Sequence, residues 1–175
     1  MMKSNDKQQK DRRELLLPRR LIPLVWAVII LILHILLPWV VARIGPRFGW
    51  SQQNPSWWNL VGLLAATTGV VLYIYCLVFH YKSYRTSVRV GFTPPHLVIA
   101  GPYRFSRNPM YVTGLFAWLG WTIFYGSPAN LVAFVLLWVA FTYRMIPFEE
   151  RQLEGLFGDQ YLEYKRSVRR WIGHY

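Results

Sequence analysis

The feature that most restricts how this 175-residue chain can fold is a pair of long apolar runs. From Leu21 to Val41, and again from Trp57 to Phe79, no acid or base occurs except His34. About 20 such residues in a helix cross roughly 30 Å of hydrocarbon, at about 1.5 Å per residue. A bilayer demands such runs, because a helix there satisfies its own backbone hydrogen bonds. Two shorter apolar runs follow, Tyr111–Tyr125 and Leu131–Tyr143, joined by the turn signal GSPAN. They predict a tight helical hairpin whose second arm extends toward Phe148. Arms this short need tilt, local thinning or burial among other helices, and a re-entrant pair has the same signature.

The expected fold is an all-α integral membrane protein. It has four transmembrane helices, the last two a short hairpin, and then an amphipathic C-terminal helical tail. Met1–Arg20 is charged and lacks apolar periodicity, which predicts a disordered basic arm ahead of a membrane domain over residues 21–175. The first apolar run is too long for a cleavable signal, follows a polar stretch and has no small-x-small site after it.

Charge gives the orientation. The net charge is +12, yet Lys and Arg avoid the apolar runs and form no stripe, so anionic head groups are the expected partner rather than nucleic acid. Seven Lys and Arg fall in the first twenty residues, two in Arg43–Ser56, five in Tyr81–Pro109, none in Gly126–Asn130 and six from Arg144 onward. With four crossings, eighteen collect on one side and two on the other. The positive-inside rule puts both termini and the Tyr81–Pro109 loop in the cytoplasm.

Nothing from Leu15 to Phe148 carries a negative charge. Carboxylate chemistry near the membrane must therefore use Glu149 and Glu150, which point about 100° apart on a helix. The tail beyond them carries Leu153, Leu156, Phe157, Tyr161, Tyr164, Val168 and Trp171 at helical spacing. Gly158 is a helix stop and Asp159 a cap for the next helix. This pattern suits an interfacial helix on the head groups, and leaves room for a second role as a lid over a cytoplasmic cleft.

Several chemistries lack support. There is no G-x-G-x-x-G after a strand, no phosphate-binding Walker loop, no nucleophile elbow and no H-E-x-x-H. His34, His80, His96 and His174 have no ligand spacing, so no metal site is expected. Cys76, the one cysteine, reads as a small apolar packer. His34 lies well inside the first run, where a neutral ring satisfied by a backbone carbonyl is the expectation.

The segment GPYRFSRNPMYVTG, Gly101–Gly114, is polar yet sits directly before an apolar run. Pro109 fits the first turn of the third helix, with Asn108 near the cap position. A helix start favours anions, and Arg107 would add a second such group. Tyr103 and Tyr111 offer ring faces to a cation or a base. An interfacial belt of Tyr and Arg reads equally well.

GPYRFSRNPMY, a hydrophobic hairpin and then EERQLEGLFGDQYLEYKRSV resemble the isoprenylcysteine carboxyl methyltransferase and phospholipid methyltransferase group. The resemblance covers Pro95 to Trp171. It implies an integral membrane enzyme that uses S-adenosylmethionine to methylate a lipophilic acceptor. By the same resemblance, Pro95, His96, Leu97 and Val98 would line the adenosine. Tyr103, Asn108, Pro109, Met110 and Tyr111 would close the pocket. Glu149 or Glu150 would meet the ribose or ammonium group, and Arg144 would help position the acceptor alongside Arg107. Many members carry His where this chain has Asn108, which cannot titrate. A carboxylate acceptor needs no base, whereas an amine does, and Glu150 is then the first choice. An NADPH-dependent membrane reductase of the sterol type and a non-catalytic scaffold are the competing readings.

Overall fold

The computed structural model describes residues 21–83 and 96–175. The expected disordered arm, Met1–Arg20, and Pro95 of the expected pocket lie outside them. The chain enters the described region as one rod: α1 (Ile22–Leu31), a π turn (Ile32–Leu36) and α2 (Leu37–Val41). A short hairpin pairs β1 (Trp50–Ser51) with β2 (Asn54–Pro55), antiparallel. Helix α3 (Trp57–Ser83) runs back. A 3-10 turn (Gly101–Arg104) leads into α4 (Pro109–Tyr125), and α5 (Pro128–Ala140), a second π turn (Phe141–Met145) and α6 (Ile146–Phe157) form one continuous rod. Helix α7 (Asp159–Ser167) closes the chain.

Three of these rods are long and apolar enough to cross a bilayer: Pro23–Val41, Trp57–Ser83 and Pro128–Phe157. Their large apolar side chains, such as Leu24, Leu64, Val132 and Leu136, are exposed, as lipid-facing residues must be. The second arm of the hairpin differs from expectation. It is a rod of 30 residues, because the helix continues through the polar sequence beyond Tyr143. The first arm stays short, at 17 residues.

Helices α3 and α4 form the core, and small residues are the reason. Asn59, Gly62, Ala66, Gly69 and Cys76 are buried on one face of α3. A Cβ on Gly69 would sit 2.5 Å from the backbone N of Ala117, and one on Gly120 would strike the backbone of Ala66. Lipid is as apolar as a leucine side chain, so helices in it gain by close backbone contact rather than by apolar burial alone. Cys76 is buried in this packing, 2 % exposed.

The far end of α4 is finished by Asn59, which is fully buried. Its Nδ2 donates to the carbonyls of Ile123 (3.1 Å), Phe124 (2.9 Å) and Phe48 (3.3 Å), and its Oδ1 accepts from the Ser56 N–H. The helix-end carbonyls are thereby satisfied away from water. Gly126, at φ +55, turns the chain, and the Ser127 side chain caps α5 by accepting from Asn130 N–H.

His34 differs from expectation. Its own carbonyl, in the π turn, accepts from Trp121 Nε1 at 2.6 Å, while its ring packs against Tyr73. Its Nδ1 is buried with no hydrogen-bond partner among the described residues.

A valine at Gly120 should push α3 and α4 apart and cost about 1–3 kcal/mol, read as a lower melting temperature in detergent. Alanine at Gly155, a helical position with open space around its Cβ and no positive φ, should instead hold or raise it.

Candidate functional site

The start of α4, the first turns of α6 and the chain after α7 meet at one end of the bundle. Glu149 and Glu150 diverge there as helical geometry requires. Glu149 Oε1 accepts from the Tyr111 hydroxyl on α4 at 2.6 Å. Glu150 turns the other way and is 4 % exposed. Its Oε1 lies 3.0 Å from Arg107 Nη1, and its Oε2 accepts from Arg170 Nη2 at 2.8 Å, with Arg170 Nε 3.4 Å from Oε1. One carboxylate thus joins α6 to the loop before α4 and to the C-terminal segment. Removing one partner from such a buried set leaves an uncompensated charge, at a cost of about 3–5 kcal/mol.

Arg107 is as buried as Glu150, and its position leaves part of the guanidinium unused. Its Nη1 lies within ion-pair distance of Glu150, but the N–H is not aligned as a hydrogen bond. Its Nε is buried with no acceptor among the described residues. A buried donor of that kind invites an anionic group.

The C-terminal segment is strapped over this loop. Arg107 N–H donates to Arg169 O at 3.1 Å, and Gly173 N–H donates to Phe105 O at 2.8 Å. Asn108 is at the cap position of α4, but its side chain caps nothing. Its Nδ2 donates to Arg170 O at 3.0 Å, while Ser106 Oγ accepts from Asn108 N–H. Pro109 is the first helical residue, and Met110 is half-buried beside it. Asp159 likewise begins α7 without a side-chain cap, following Gly158 at φ +49.

The tail's apolar stripe faces the protein. Tyr161, Tyr164 and Val168 are buried together, with Leu97, Leu153 and Phe157 packed against them. Tyr164 donates its hydroxyl proton to Tyr103 O at 2.6 Å. Tyr103 is buried and its hydroxyl lies 2.8 Å from His80 Nδ1. Val98 is buried and His96 exposed, both at the edge of this cluster. Arg144 lies in the second π turn, exposed, with no hydrogen bond or ion pair to either glutamate.

Sequence reasoning missed Arg170, Tyr164, Ser106 and His80. Nothing in its spacing separates Arg170 from Lys165, Arg166 and Arg169. The available signal was that Glu150 needs more than one counter-charge to be buried.

This site and fold define a class: a helical membrane protein with a buried carboxylate–guanidinium cluster at one end of the bundle. The phospholipid methyltransferase family matches residues 57–160, and the chain belongs to that family. It is 34% identical over 115 residues to protein-S-isoprenylcysteine O-methyltransferase A of Arabidopsis thaliana, covering 64% of this chain and 58% of that protein. It is 30% identical over 132 residues to the Xenopus laevis protein-S-isoprenylcysteine O-methyltransferase, covering 74% of this chain and 46% of that protein. It is 40% identical over 74 residues to the Saccharomyces cerevisiae enzyme of the same name, covering 41% and 30%. The chain therefore spans less than two thirds of the length of these relatives. No solved structure matches it.

The strap should be alkali-sensitive. Burial pushes the Tyr161 hydroxyl up to about 12, the Glu150 charge adding and Arg107 opposing. Burial also pushes Tyr164 up, with Tyr161 adding. Both shifts favour the protonated form in the folded protein. Their contribution is therefore full below the ordinary tyrosine value of about 10 and is lost as pH rises from there through about 12. Protease resistance of residues 159–175 should fall over that window, together with the appearance of tyrosinate absorbance, and Tyr161→Phe should lessen the step.

Proposed function

We propose that this protein transfers a methyl group from S-adenosylmethionine to the carboxylate of a lipophilic, isoprenylcysteine-like acceptor. The observation that carries this is the engagement of both glutamates. Glu149 already receives the Tyr111 proton donor, and Glu150 is held by Arg107 and Arg170. Glu150, the first choice of base for an amine, is committed to two guanidinium groups, and Glu149 already shares one oxygen with the Tyr111 phenol. A carboxylate acceptor releases none, so the site suits ester formation. The names of the Arabidopsis and Xenopus relatives agree with it.

The cofactor supplies an activated methyl on a sulfonium. The residues present fit such a group. The Arg107 Nε, buried without an acceptor, suits the carboxylate of its amino-acid portion. Glu149 and Tyr111 suit its ammonium or ribose, and Tyr103, Leu97 and Val98 offer a wall to the adenosine. His96, Asn108, Pro109 and Met110 belong to the same rim, the loop and helix start beside the tail; Pro95 lies outside the described residues and stays an expectation from the resemblance. Glu150 acts here as a positioning group: it fixes Arg107 and ties down the strap. The strap keeps water away from the reacting atoms.

The acceptor's chain enters from the bilayer in this reading. A groove of about 230 Å³ between α4 and α5 is lined by Val112, Leu115, Phe116, Leu119, Phe134 and the tail residues Trp171 and Ile172. Trp171 is the neighbour of Arg170, so the apolar groove and the ion-paired end adjoin in the chain. Four crossings, with α4 as the short third, put this end and both termini in the cytoplasm by the distribution of Lys and Arg. Arg144, exposed near that surface, would draw an anionic acceptor toward it.

The test is methyl transfer from labelled S-adenosylmethionine to a prenylcysteine acid and, separately, to phosphatidylethanolamine. We expect label in the prenylcysteine product, released by alkali as methanol, as an ester requires. Alkali-stable label in the amine lipid would favour N-methylation instead. S-adenosylhomocysteine should raise the melting temperature and NADPH should not; the opposite result would support the reductase reading, and no response to either would support a scaffold. Arg170→Gln should lower turnover about tenfold or more while the membrane helices stay folded, because it frees the strap and leaves Glu150 half-paired.

A further inference from the structure

The other end of the bundle holds a second concentration of charge that methyl transfer does not use. A cavity of about 530 Å³ opens there among Trp39, Arg43, Arg47, Trp50 and Gln53. The Arg43 guanidinium carbon lies 3.8 Å from the Trp39 ring centroid, and that of Arg47 lies 5.0 Å from the Trp50 centroid. A guanidinium held against an indole still has its in-plane N–H donors for oxygen acceptors. Among the described residues, no Asp or Glu precedes Glu149. That residue lies at the opposite end of α4, a 17-residue helix about 25 Å long. Two arginines thus share a cavity with no carboxylate beside them among the described residues.

The walls of the cavity are fixed. Trp50 Nε1 donates to Phe124 O at 2.9 Å, and the Trp50 ring stacks on Tyr125 with centroids 6.3 Å apart. Gln52 and Gln53, at φ +47 and +67, make the two-residue turn between β1 and β2. Phe48 N–H donates to Gly126 O, and Phe48 O accepts from Asn59. The hairpin is therefore pinned to the α4–α5 turn rather than free to collapse onto the arginines.

Its depth in the bilayer follows from the spans. Arg43 comes two residues after the rod Pro23–Val41 ends, and Trp57 opens the next rod. Ile44, Phe48 and Trp57 around it are exposed, at 65%, 59% and 78%. Charged donors with apolar neighbours at a span end mark the boundary between hydrocarbon and head groups, where phosphate lies.

We propose that this cavity binds the phosphate of an anionic phospholipid in the leaflet opposite Glu149 and Glu150. The anionic class follows from what the cavity lacks. The cation of a choline or ethanolamine headgroup needs a carboxylate or an open aromatic face. Here no carboxylate is near, and guanidinium groups already lie over Trp39 and Trp50. The exposed apolar rim favours a lipid over free phosphate.

Native mass spectrometry of the purified protein, titrated with phosphatidylglycerol or phosphatidylcholine, tests this. The wild type should retain one phosphatidylglycerol in preference to phosphatidylcholine. The double variant Arg43→Gln, Arg47→Gln should weaken that preference about tenfold or more. Raising salt to 0.5 M should weaken it in the wild type too, a readout that does not depend on the variant folding. Inorganic phosphate at 10 mM should leave the lipid in place. Equal retention of both lipids, or of phosphatidylglycerol by wild type and variant, would overturn the proposal. Displacement of the lipid by inorganic phosphate would reassign the cavity to the free ion. The variant's response to S-adenosylhomocysteine should match the wild type, since neither arginine is near the other end.

Discussion

The Glu150 carboxylate is the tie on which the polar end of this molecule depends. It is buried, and it meets guanidinium groups from two segments far apart in sequence, Arg107 and Arg170. Both segments also send apolar side chains into the cluster beside α6, Leu97 from the loop and Val168 from the tail, but Glu150 is the polar contact that joins them to it directly. A single carboxylate with two cationic partners converts these into one structure. It also explains the strap's remaining bonds, backbone contacts together with the Asn108 bond to Arg170 O, which can form only once the loop and tail are already in register.

A different constraint governs the apolar body. In hydrocarbon, side-chain burial brings helices together weakly, so contact must come from shape. The α3–α4 seam supplies it with Gly62, Ala66 and Gly69 against Ala117 and Gly120. Long-range side-chain bonds to backbone carbonyls then tie the segments together. Asn59 serves the end of α4, and Trp121 serves the carbonyl of His34 in its π turn. The outer surface stays apolar, and the inner seam holds α4 so that its first turn faces α6.

Much of this was legible in the sequence. The apolar runs marked the rods, Pro109 marked the start of α4, Gly158 marked the end of α6, and the lone acidic pair marked the polar end. The length of the last rod was not legible, because α6 is amphipathic and its continuity with α5 passes through a π turn, which has no composition of its own. Asn108 is at the cap position as read, but its side chain caps nothing, since the carbonyl it binds belongs to Arg170, 62 residues away. The tail's stripe was readable as a stripe, but its partner was not: an apolar face fits head groups or protein equally until the loop carrying Leu97 and Tyr103 is placed. His34 looked like a histidine satisfied by a carbonyl, whereas the bond made there belongs to its backbone rather than to its ring.

The strap has a bearing on biogenesis. Each of the three apolar rods precedes it in the chain, so the strap can dock only after the rods it closes over are in place. Until then the rods are anchored but the site is open, with Glu150 exposed to water and one of its two guanidinium partners missing. A chain lacking Val168–Tyr175 would thus keep each of the three apolar rods it needs to enter a bilayer, yet never close.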